Sequence, residues 1–303
     1  MQIKDLSEID LIKRLSKNFR LDKTVIKGSG DDAAVLQWTK DKYLLYTCDM
    51  VIEGVHFDLS KATPFQVGWK ALARNISDVG AMGGVPKYAV VSLAISPRRD
   101  VSVADGICEG IKSLADRFGV NIVGGDMARS EKIVIDISLI GQVEKKKLVL
   151  RSGAKTGDLI FVTGTLGGSI KGKHLNFMPR VREAREILRN YKINSMIDLS
   201  DGLVLDLSRM LRASGVGAVI CEKAIPISKD ASGINSAMYD GEDYELLFTI
   251  GAKEAKRFFR RRSNKMKTPV TLIGEIVSKR EGYKVTRRNG KKDDLKIKGY
   301  LHF

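Results

Sequence analysis

Two successive blocks of alternating strand-like and helical segments constrain the fold of this 303-residue chain most. In the first block, the run YLLYTC precedes a long helical segment from about Pro64, and YAVVSLAI precedes another that Gly119 closes. The second block continues through LIFVTG, SMIDLS and GLVLDLSRMLRASG. Such alternation is typical of α/β and α+β folds. The charged, glycine-bearing segment EKKKLVLRSGAKTGD separates the blocks, which predicts a boundary near residues 145–155 and domains of 1–148 and 149–303.

Shorter patterns predict further elements at both ends of the chain. The opening DLSEIDLIKRLSKNF has apolar residues near helical spacing and predicts an amphipathic helix. AAVLQW, VNIV and KIVIDISLIGQV read as strands. The stretch KEAKRFFRRRSNK predicts a basic helix, and YKVTRRNGKKDDLKI a terminal hairpin.

The net charge of +16 is concentrated towards the C-terminus. Residues 253–303 contain 17 Lys and Arg against 5 Asp and Glu, so they carry 12 of the net positive charges. A basic surface is the usual footprint of nucleic-acid binding. These stretches lack the aromatic interleaving expected of a base-stacking surface. We therefore favour a solvated basic surface and expect no dedicated nucleic-acid site.

Other features argue for a soluble protein without a metal-thiolate centre. No apolar run reaches the roughly 18 residues that a membrane helix needs, and the first twenty residues lack a signal peptide's apolar centre. We expect a cytoplasmic protein with no membrane partner. Cys48, Cys108 and Cys221 are odd in number and widely spaced, which argues against both a disulfide framework and a zinc site.

The segment GSGDDAAVL, residues 28–36, combines two glycines with two adjacent acids. Gly28, Gly30 and Ala33 are close to the G-x-G-x-x-G/A spacing of a dinucleotide loop. Asp31 and Asp32 contradict that interpretation, because two carboxylates repel a phosphate unless a cation lies between them. The chain also has no G-x-x-x-x-G-K-[ST] motif, which excludes an ordinary P-loop NTPase.

Further aspartates recur beside apolar runs. We place Asp49 just after the strand YLLYTC and Asp126 after a strand and two glycines. Asp78 lies on the long helix, and Asp198 and Asp201 lie at the strand-to-helix turn of SMIDLSDGL.

Each of these acids has a structural alternative. Asp201, or Ser200 before it, would suit an N-cap of the next helix. Asp78 lies four residues after Arg74, the spacing of a helix-surface ion pair. The acids placed after strands could satisfy the backbone of a turn. Taken together, the acids are better explained by divalent metal bound to nucleotide phosphates, because Mg²⁺ takes carboxylate, water and phosphate oxygens. In phosphoryl transfer, positioning and charge neutralisation supply most of the catalysis.

At these residues the sequence resembles the thiamine-monophosphate kinase family, whose superfamily includes aminoimidazole ribonucleotide synthetase. Seven blocks match in order over nearly the whole chain: GSGDDAAVL, TCDMVIEGVHF, WKALARNISDVGAMGG, NIVGGDMAR, RSGAKTGDLIFVTGTLGG, IDLSDGL and GEDYELLF. The resemblance implies the two-domain fold of that superfamily. Its N-terminal sheet would close a β-barrel with a second copy in a homodimer, beside a C-terminal α/β domain.

The resemblance also implies an activity and the residues that carry it. The activity is ATP-dependent phosphorylation of thiamine monophosphate to thiamine diphosphate, by direct transfer with several Mg²⁺ ions. The implied metal ligands are Asp32, Thr47, Asp49, Asp78, Asp126, Asp198 and Asp201. The implied nucleotide contacts are Gly125, Asp126, Arg151 and Ser200, and the catalytic residues are Arg151, Asp126 and Asp49. The implied substrate contacts are His56, Glu242 and the residue at position 297, while Asp31 would support the loop or bind metal through water.

One departure from the family pattern concerns the substrate. Many members carry an aromatic residue, typically Trp, just before K-G-Y, where this chain has Ile297. Tyr239 or Tyr300 is the expected replacement for its ring. The rival interpretations are another ATP-using member of the superfamily and a basic, non-catalytic nucleic-acid-binding protein. A selenophosphate synthetase would need an early reactive Cys and Lys, and the carbamoyl-dehydrating maturation enzyme a C-terminal Cys, whereas this chain ends GYLHF.

Overall fold

The computed structural model describes residues 2–6, 8–261 and 266–300, which form two sheets with helices packed on them. The first sheet has the strand order β1-β2-β3-β6-β4-β5. Its strands are β1 Val25–Lys27, β2 Ala34–Gln37, β3 Lys42–Ile52, β4 Val85–Ile95, β5 Asn121–Arg129 and β6 Val134–Glu144. The helices of this half are α1 Glu8–Ser16, α2 Pro64–Ala81 and α3 Val101–Phe118.

The second sheet has the order β13-β12-β9-β11-β7-β10-β8. Its strands are β7 Asp158–Thr163, β8 Ile193–Asp198, β9 Gly217–Cys221, β10 Leu246–Gly251, β11 Val270–Val277, β12 Tyr283–Thr286 and β13 Lys292–Asp294. The helices of this half are α4 Lys173–Asn176, α5 Val181–Asn190, α6 Leu203–Ser214, α7 Ile234–Tyr239 and α8 Ala252–Arg261.

Capping residues in the local sequence set the start of helix α2 and the end of helix α3. Thr63 caps α2: its side chain accepts from the Gln66 backbone N–H at 3.2 Å, and the Gln66 side chain accepts from the Thr63 N–H at 2.9 Å. Pro64 then occupies the first helical turn, as predicted. Gly119 ends α3 in the left-handed conformation with φ 64°, also as predicted.

The first sheet buries one face against α2 and α3. Along β6 every second residue is buried, including Ile135, Ile137 and Leu139, and these side chains join Val67 and Ile76 of α2 in one core. The period of two follows from the pleat of a strand, which points alternate side chains to opposite faces.

The second sheet is buried on both faces. Within β7, Ile160 and Val162 pack in a core that includes residues of α6, whereas Phe161 between them packs with residues of α5 and α8. This explains why LIFVTG and LLFTI read as continuous apolar runs without alternation.

Two sequence placements are wrong. Asp49 does not follow its strand, because β3 continues to Ile52. Asp126 lies inside β5, which runs through both glycines before it to Arg129. The predicted terminal hairpin is confirmed by the antiparallel pairing of β12 and β13. The predicted basic helix is described to Arg261, and the rest of its stretch, residues 262–265, lies outside the described residues.

Helix α2 joins the two halves. The Trp69 indole Nε1–H donates to the Phe177 carbonyl at 2.9 Å, and the Phe177 ring stacks on Tyr244 with centroids 3.9 Å apart. Among the described helices, none is long and apolar enough to cross a membrane.

Candidate active site

A row of polar side chains on α2 connects the two halves of the site. Successive members of this row are separated by four, three and one positions, so they lie along one side of the helix: Lys70, Arg74, Ser77 and Asp78. The residues around them are mostly buried and apolar. Each of the four meets a different polar group of the site.

Three acids converge between the domains. Asp32 from the glycine loop, Asp78 from α2 and Asp198 at the end of β8 each offer a carboxylate oxygen within 4.8 Å of the others. The Thr47 hydroxyl donates to Asp78 at 2.6 Å, and the Ser77 hydroxyl donates to Asp198 at 2.5 Å. Thus four of the predicted metal ligands lie together, and they come from both halves of the chain.

Burial makes this group of carboxylates electrostatically costly. Asp32 and Asp198 are buried. Desolvation and mutual repulsion raise the pKa of Asp78 and of Asp198 well above the ordinary value. Desolvation also raises the pKa of Asp32, although Arg151 opposes the rise. The three carboxylates therefore cannot all be ionised here at low cost without added positive charge.

One carboxylate oxygen of the cluster is itself an argument for a bound cation. The Oδ2 atom of Asp32 is buried and has no hydrogen-bond partner among the described residues. A buried, unpaired carboxylate oxygen costs free energy unless it meets a cation or a donor. Hard divalent cations bind oxygen ligands of this type. The donor set therefore fits Mg²⁺.

Asp49 and Asp201 lie at the edge of this cluster, each paired with an arginine. Arg74 donates to Asp49 at 2.9 Å, so the predicted alternative of a pair with Asp78 is wrong. Arg209 forms an ion pair with Asp201. Helix α6 begins at Leu203 with Gly202 as its N-cap and without a side-chain cap, so neither Asp201 nor Ser200 caps it.

Arg151 holds the glycine loop from the start of the second half. Its guanidinium Nε donates to Asp32 at 3.0 Å, and its backbone N–H donates to Asp31 at 3.1 Å. Burial and the charge of Asp32 raise the pKa of Asp31 to about 6. Arg151 thus neutralises one side of the loop at the Asp32 Oδ1 atom and leaves the Oδ2 atom without a hydrogen-bond partner among the described residues.

The structure does not bring Asp126 into the cluster. It lies with Gly125 on β5, the edge strand of the first sheet, and every residue of this strand is exposed. A Cβ atom on Gly125 would come within 1.9 Å of the Val91 carbonyl oxygen, so the strand pairing requires glycine there. The two residues line a separate, mainly apolar pocket of about 330 Å³ beside α3.

A second pocket, of about 450 Å³, opens between the domains beside the acids. We call it the interdomain pocket; it is lined by Val55, His56, Arg74, Ile170, Ser200, Asp201, Tyr239, Asp240, Gly241, Glu242, Tyr244, Gly299 and Tyr300. The predicted substrate residues His56 and Glu242 therefore lie together. Ile297 does not line this pocket, whereas both tyrosines named as replacements for its aromatic counterpart do.

Sequence reasoning missed the residues beneath this pocket. Lys70 has a relative exposure of 0%, and its ammonium lies 2.6 Å from the nearer Glu242 oxygen and 2.8 Å from His174 Nδ1. The available signal was a lysine within the apolar face of a long helix, in VGWKALA. A buried lysine is rare unless it is paired.

Comparisons with known proteins agree with this arrangement. Family models for AIR synthase related protein match residues 30–143 with the N-terminal domain and residues 144–286 with the C-terminal domain. Thiamine-monophosphate kinase of Rhodopirellula baltica is 38% identical, with 84% of each chain covered. The chain belongs to the thiamine-monophosphate kinase family.

Two solved structures of this family also match the fold. The thiamine-monophosphate kinase of Aquifex aeolicus matches with 31% identity and a TM-score of 0.79, covering 97% of this chain and 100% of that one. A structure described as AaThiL complexed with AMPPCP and TMP matches with 33% identity and a TM-score of 0.84, covering 100% and 99%. The predicted family, the predicted two-domain fold and the predicted class of enzyme, a thiamine-phosphate kinase, are confirmed.

Proposed function

We propose that this protein transfers the γ-phosphoryl group of ATP to thiamine monophosphate, in line and with several Mg²⁺ ions, and so makes thiamine diphosphate. The observation that carries the proposal is the position of the buried cluster Asp32–Asp78–Asp198 beside the interdomain pocket. A site for phosphates held through cations then adjoins a pocket large enough for a small acceptor.

Seven residues would hold Mg²⁺: Asp32, Thr47, Asp49, Asp78, Asp126, Asp198 and Asp201. When bound, Mg²⁺ neutralises phosphate charge and orients the reacting oxygens. The fit rests on the unpaired Asp32 oxygen and on the raised pKa values of Asp32, Asp78 and Asp198. Ionisation of all three acids becomes favourable only when positive charge is supplied.

The nucleotide would contact Gly125, Asp126, Arg151 and Ser200. The Arg151 guanidinium carries a permanent positive charge and a planar fork of donors, which suits a transferring phosphoryl group. Its contact with Asp32 keeps it aimed at the cluster. Arg151, Asp49 and Asp126 are the proposed catalytic residues.

The acceptor needs no strong general base. The second pKa of a phosphate monoester is about 6, so near neutral pH its oxygen is already a competent nucleophile. The interdomain pocket is suited to a small acceptor with a flat ring, because Tyr239, Tyr244 and Tyr300 line it together with acids. His56 and Glu242 would contact the organic part of thiamine monophosphate.

The separation of Asp126 from the other acids supports a homodimer. Strand β5 is an exposed edge strand, and exposed large apolar side chains flank Asp126, with Val123 61% and Met127 67% exposed. Such an edge is a template for pairing with another chain. We propose that a second copy covers it in a cytoplasmic homodimer, so that Asp126 of one copy faces cations held by the other.

Product formation tests the proposal. Incubation with ATP, Mg²⁺ and thiamine monophosphate is expected to yield thiamine diphosphate and ADP, resolved by chromatography. Asp32→Asn and Asp126→Asn should each abolish turnover with the fold intact, whereas Asp105→Asn, an exposed acid of α3, should match the parent. A folded dimer that forms no product above the enzyme-free blank refutes the activity. Turnover of either variant within tenfold of the parent refutes the metal assignments.

A further inference from the structure

Three side chains form a buried polar group directly beneath the interdomain pocket. Lys70 comes from α2 in the first half, while His174 on the short helix α4 and Glu242 in the loop before β10 come from the second. The Lys70 ammonium donates to the His56 carbonyl at 2.7 Å and to the Glu242 oxygens, and its Nζ atom lies 2.8 Å from His174 Nδ1. His174 Nδ1 lies 2.9 Å from Glu242 Oε2.

These contacts use all the hydrogen-bonding capacity of Lys70. An ammonium has three donors, and here they meet the His56 carbonyl and both carboxylate oxygens of Glu242, while His174 Nδ1 carries its own proton towards Glu242 Oε2. The side chain of Lys70 is only 1% exposed, so it does not reach into the pocket. Any effect of Lys70 on a bound molecule must therefore act through Glu242 or through the backbone of His56.

Glu242 is the member of the group that faces the pocket. Its side chain is 22% exposed. Lys70 contacts both carboxylate oxygens and His174 contacts one, which leaves at least one of about four acceptor directions for a ligand. The hydrogen bond from His174 and the charge of Lys70 outweigh desolvation and lower the pKa of Glu242 to about 2. The group thus presents an ionised carboxylate in a fixed orientation.

The backbone at this position shows a second constraint. Glu242 has φ 66° and Tyr244 has φ 50°, a left-handed conformation that is uncommon for residues other than glycine. Such conformations persist only where the surroundings enforce them, and they cluster at functional sites. The Glu242 N–H donates to the Ser200 carbonyl at 2.7 Å, which fixes the same loop from its other side.

Domain docking alone does not explain this group. Replacing a buried ion pair with apolar residues is often neutral or stabilising, so a buried lysine is weak evidence for a role in stability. The adjacent Trp69 already joins α2 to the second half through Phe177. What Lys70 and His174 add is control over the direction and charge of one pocket-facing carboxylate.

We infer that Lys70 and His174 are positioning residues, which hold Glu242 so that it accepts hydrogen bonds from the amino-substituted heterocycle of the acceptor. The inference rests on the proposed function, because it concerns recognition of thiamine monophosphate at the same site. It predicts that these two residues control binding of the acceptor and have little influence on binding of ATP.

The test compares steady-state kinetics of the dimeric enzyme with Lys70→Met, which keeps chain length and removes the charge. The KM for thiamine monophosphate should rise about tenfold or more, as for loss of a charge-assisted hydrogen bond. The KM for ATP should stay within about twofold and kcat within about threefold, because uniform binding is what is lost. His174→Ala should raise the same KM, and His174→Asn should restore it, since the amide can stand in for Nδ1.

The pH dependence of the KM for thiamine monophosphate provides a second measurement, which would not change if Lys70 had only a structural role. Lys70, His174, Arg74 and Tyr244 are the titratable groups around Glu242. In the parent, the KM for thiamine monophosphate should show no step from Glu242 between pH 5 and 8. In Lys70→Met the pKa of Glu242 rises, so this KM should increase as the pH falls towards 5.

Trp69→Phe is the matched control, because it removes an interdomain hydrogen bond one residue away and leaves the Lys70 group intact. An equal rise in KM in this control, or an unchanged KM in folded Lys70→Met, overturns the inference while the proposed function stands. If Lys70→Met does not fold, equal KM values for His174→Ala and His174→Asn overturn it. A parent enzyme without product overturns both.

Discussion

Asp243 offers a quantitative test of the electrostatics beside the interdomain pocket. It is 1% exposed and accepts from the Gly167 N–H at 2.8 and 3.0 Å and from the Ser169 hydroxyl, which anchors the glycine-rich loop after β7. Desolvation raises its pKa from 3.8 to about 6, against the hydrogen bonds and the charge of Lys173. The folded state therefore holds the Asp243 proton more tightly than the unfolded state does.

The sign of the pH dependence follows from this difference. Because the folded pKa is the higher one, the contribution to stability is fully present below pH 3.8, falls as the pH rises through about 6 and is then constant. Over the interval from pH 4.5 to 7.5, linkage gives a loss of about 2 kcal/mol in the free energy of unfolding. Asp243→Asn removes the titration and keeps one acceptor for Gly167.

Urea unfolding of the parent and of Asp243→Asn at the two pH values measures this loss. The variant carries a constant cost from the lost acceptor, so only the change with pH is informative. Relative to the variant, the parent should lose about 2 kcal/mol between pH 4.5 and 7.5. Asp22→Asn is the control that should show no change with pH, because hydrogen bonds from Thr24 lower the pKa of exposed Asp22 and place its titration below this pH range. A parent–variant difference that does not change with pH refutes the reasoning.

Two further predictions concern the acid cluster and the edge strand. Mg²⁺ should raise the melting temperature more at pH 8 than at pH 5.5, because the raised pKa values of Asp78 and Asp198 make protons compete with the cation at lower pH. Calorimetry should show most of this gain lost in Asp198→Asn, and an equal gain in that variant would contradict the cluster. Gly125→Ala should destabilise β5 and lower activity by at least tenfold, since its Cβ would lie 1.9 Å from the Val91 carbonyl oxygen. Parent-like melting and turnover would show that the strand pairing is misassigned.

Local sequence predicted the elements whose ends are set by local chemistry. Pro64 and Gly119 marked helix boundaries because proline and left-handed glycine act within a single turn. The ends of β3 and β5 could not be predicted in this way. Asp49 continues β3 because it pairs with Ile137 of β6, and Asp126 continues β5 because it pairs with Ser92 of β4. Pairing of that kind depends on segments that are distant in the sequence.

The sequence identified the aspartates of the site as candidates, but it did not predict which side chains they contact. Arg74 had an acid four residues along its own helix, yet it pairs with Asp49 on a neighbouring strand. Lys70 gave only a weak signal, because a charged residue on a helix is usually solvated. Which tyrosine rings line the interdomain pocket likewise depends on how the C-terminal segment packs: the Tyr300 N–H donates to the Asp201 carbonyl at 3.0 Å.

The cluster Asp32–Asp78–Asp198 draws two carboxylates from one half of the chain and one from the other. Neither half alone therefore carries all three carboxylates. A cation bound there gains its free energy only while the halves are docked, so that free energy adds to the docking equilibrium. Cation binding at this proposed site would make the two halves unfold together, and the same acids that weaken docking when they are empty and ionised would then link the domains.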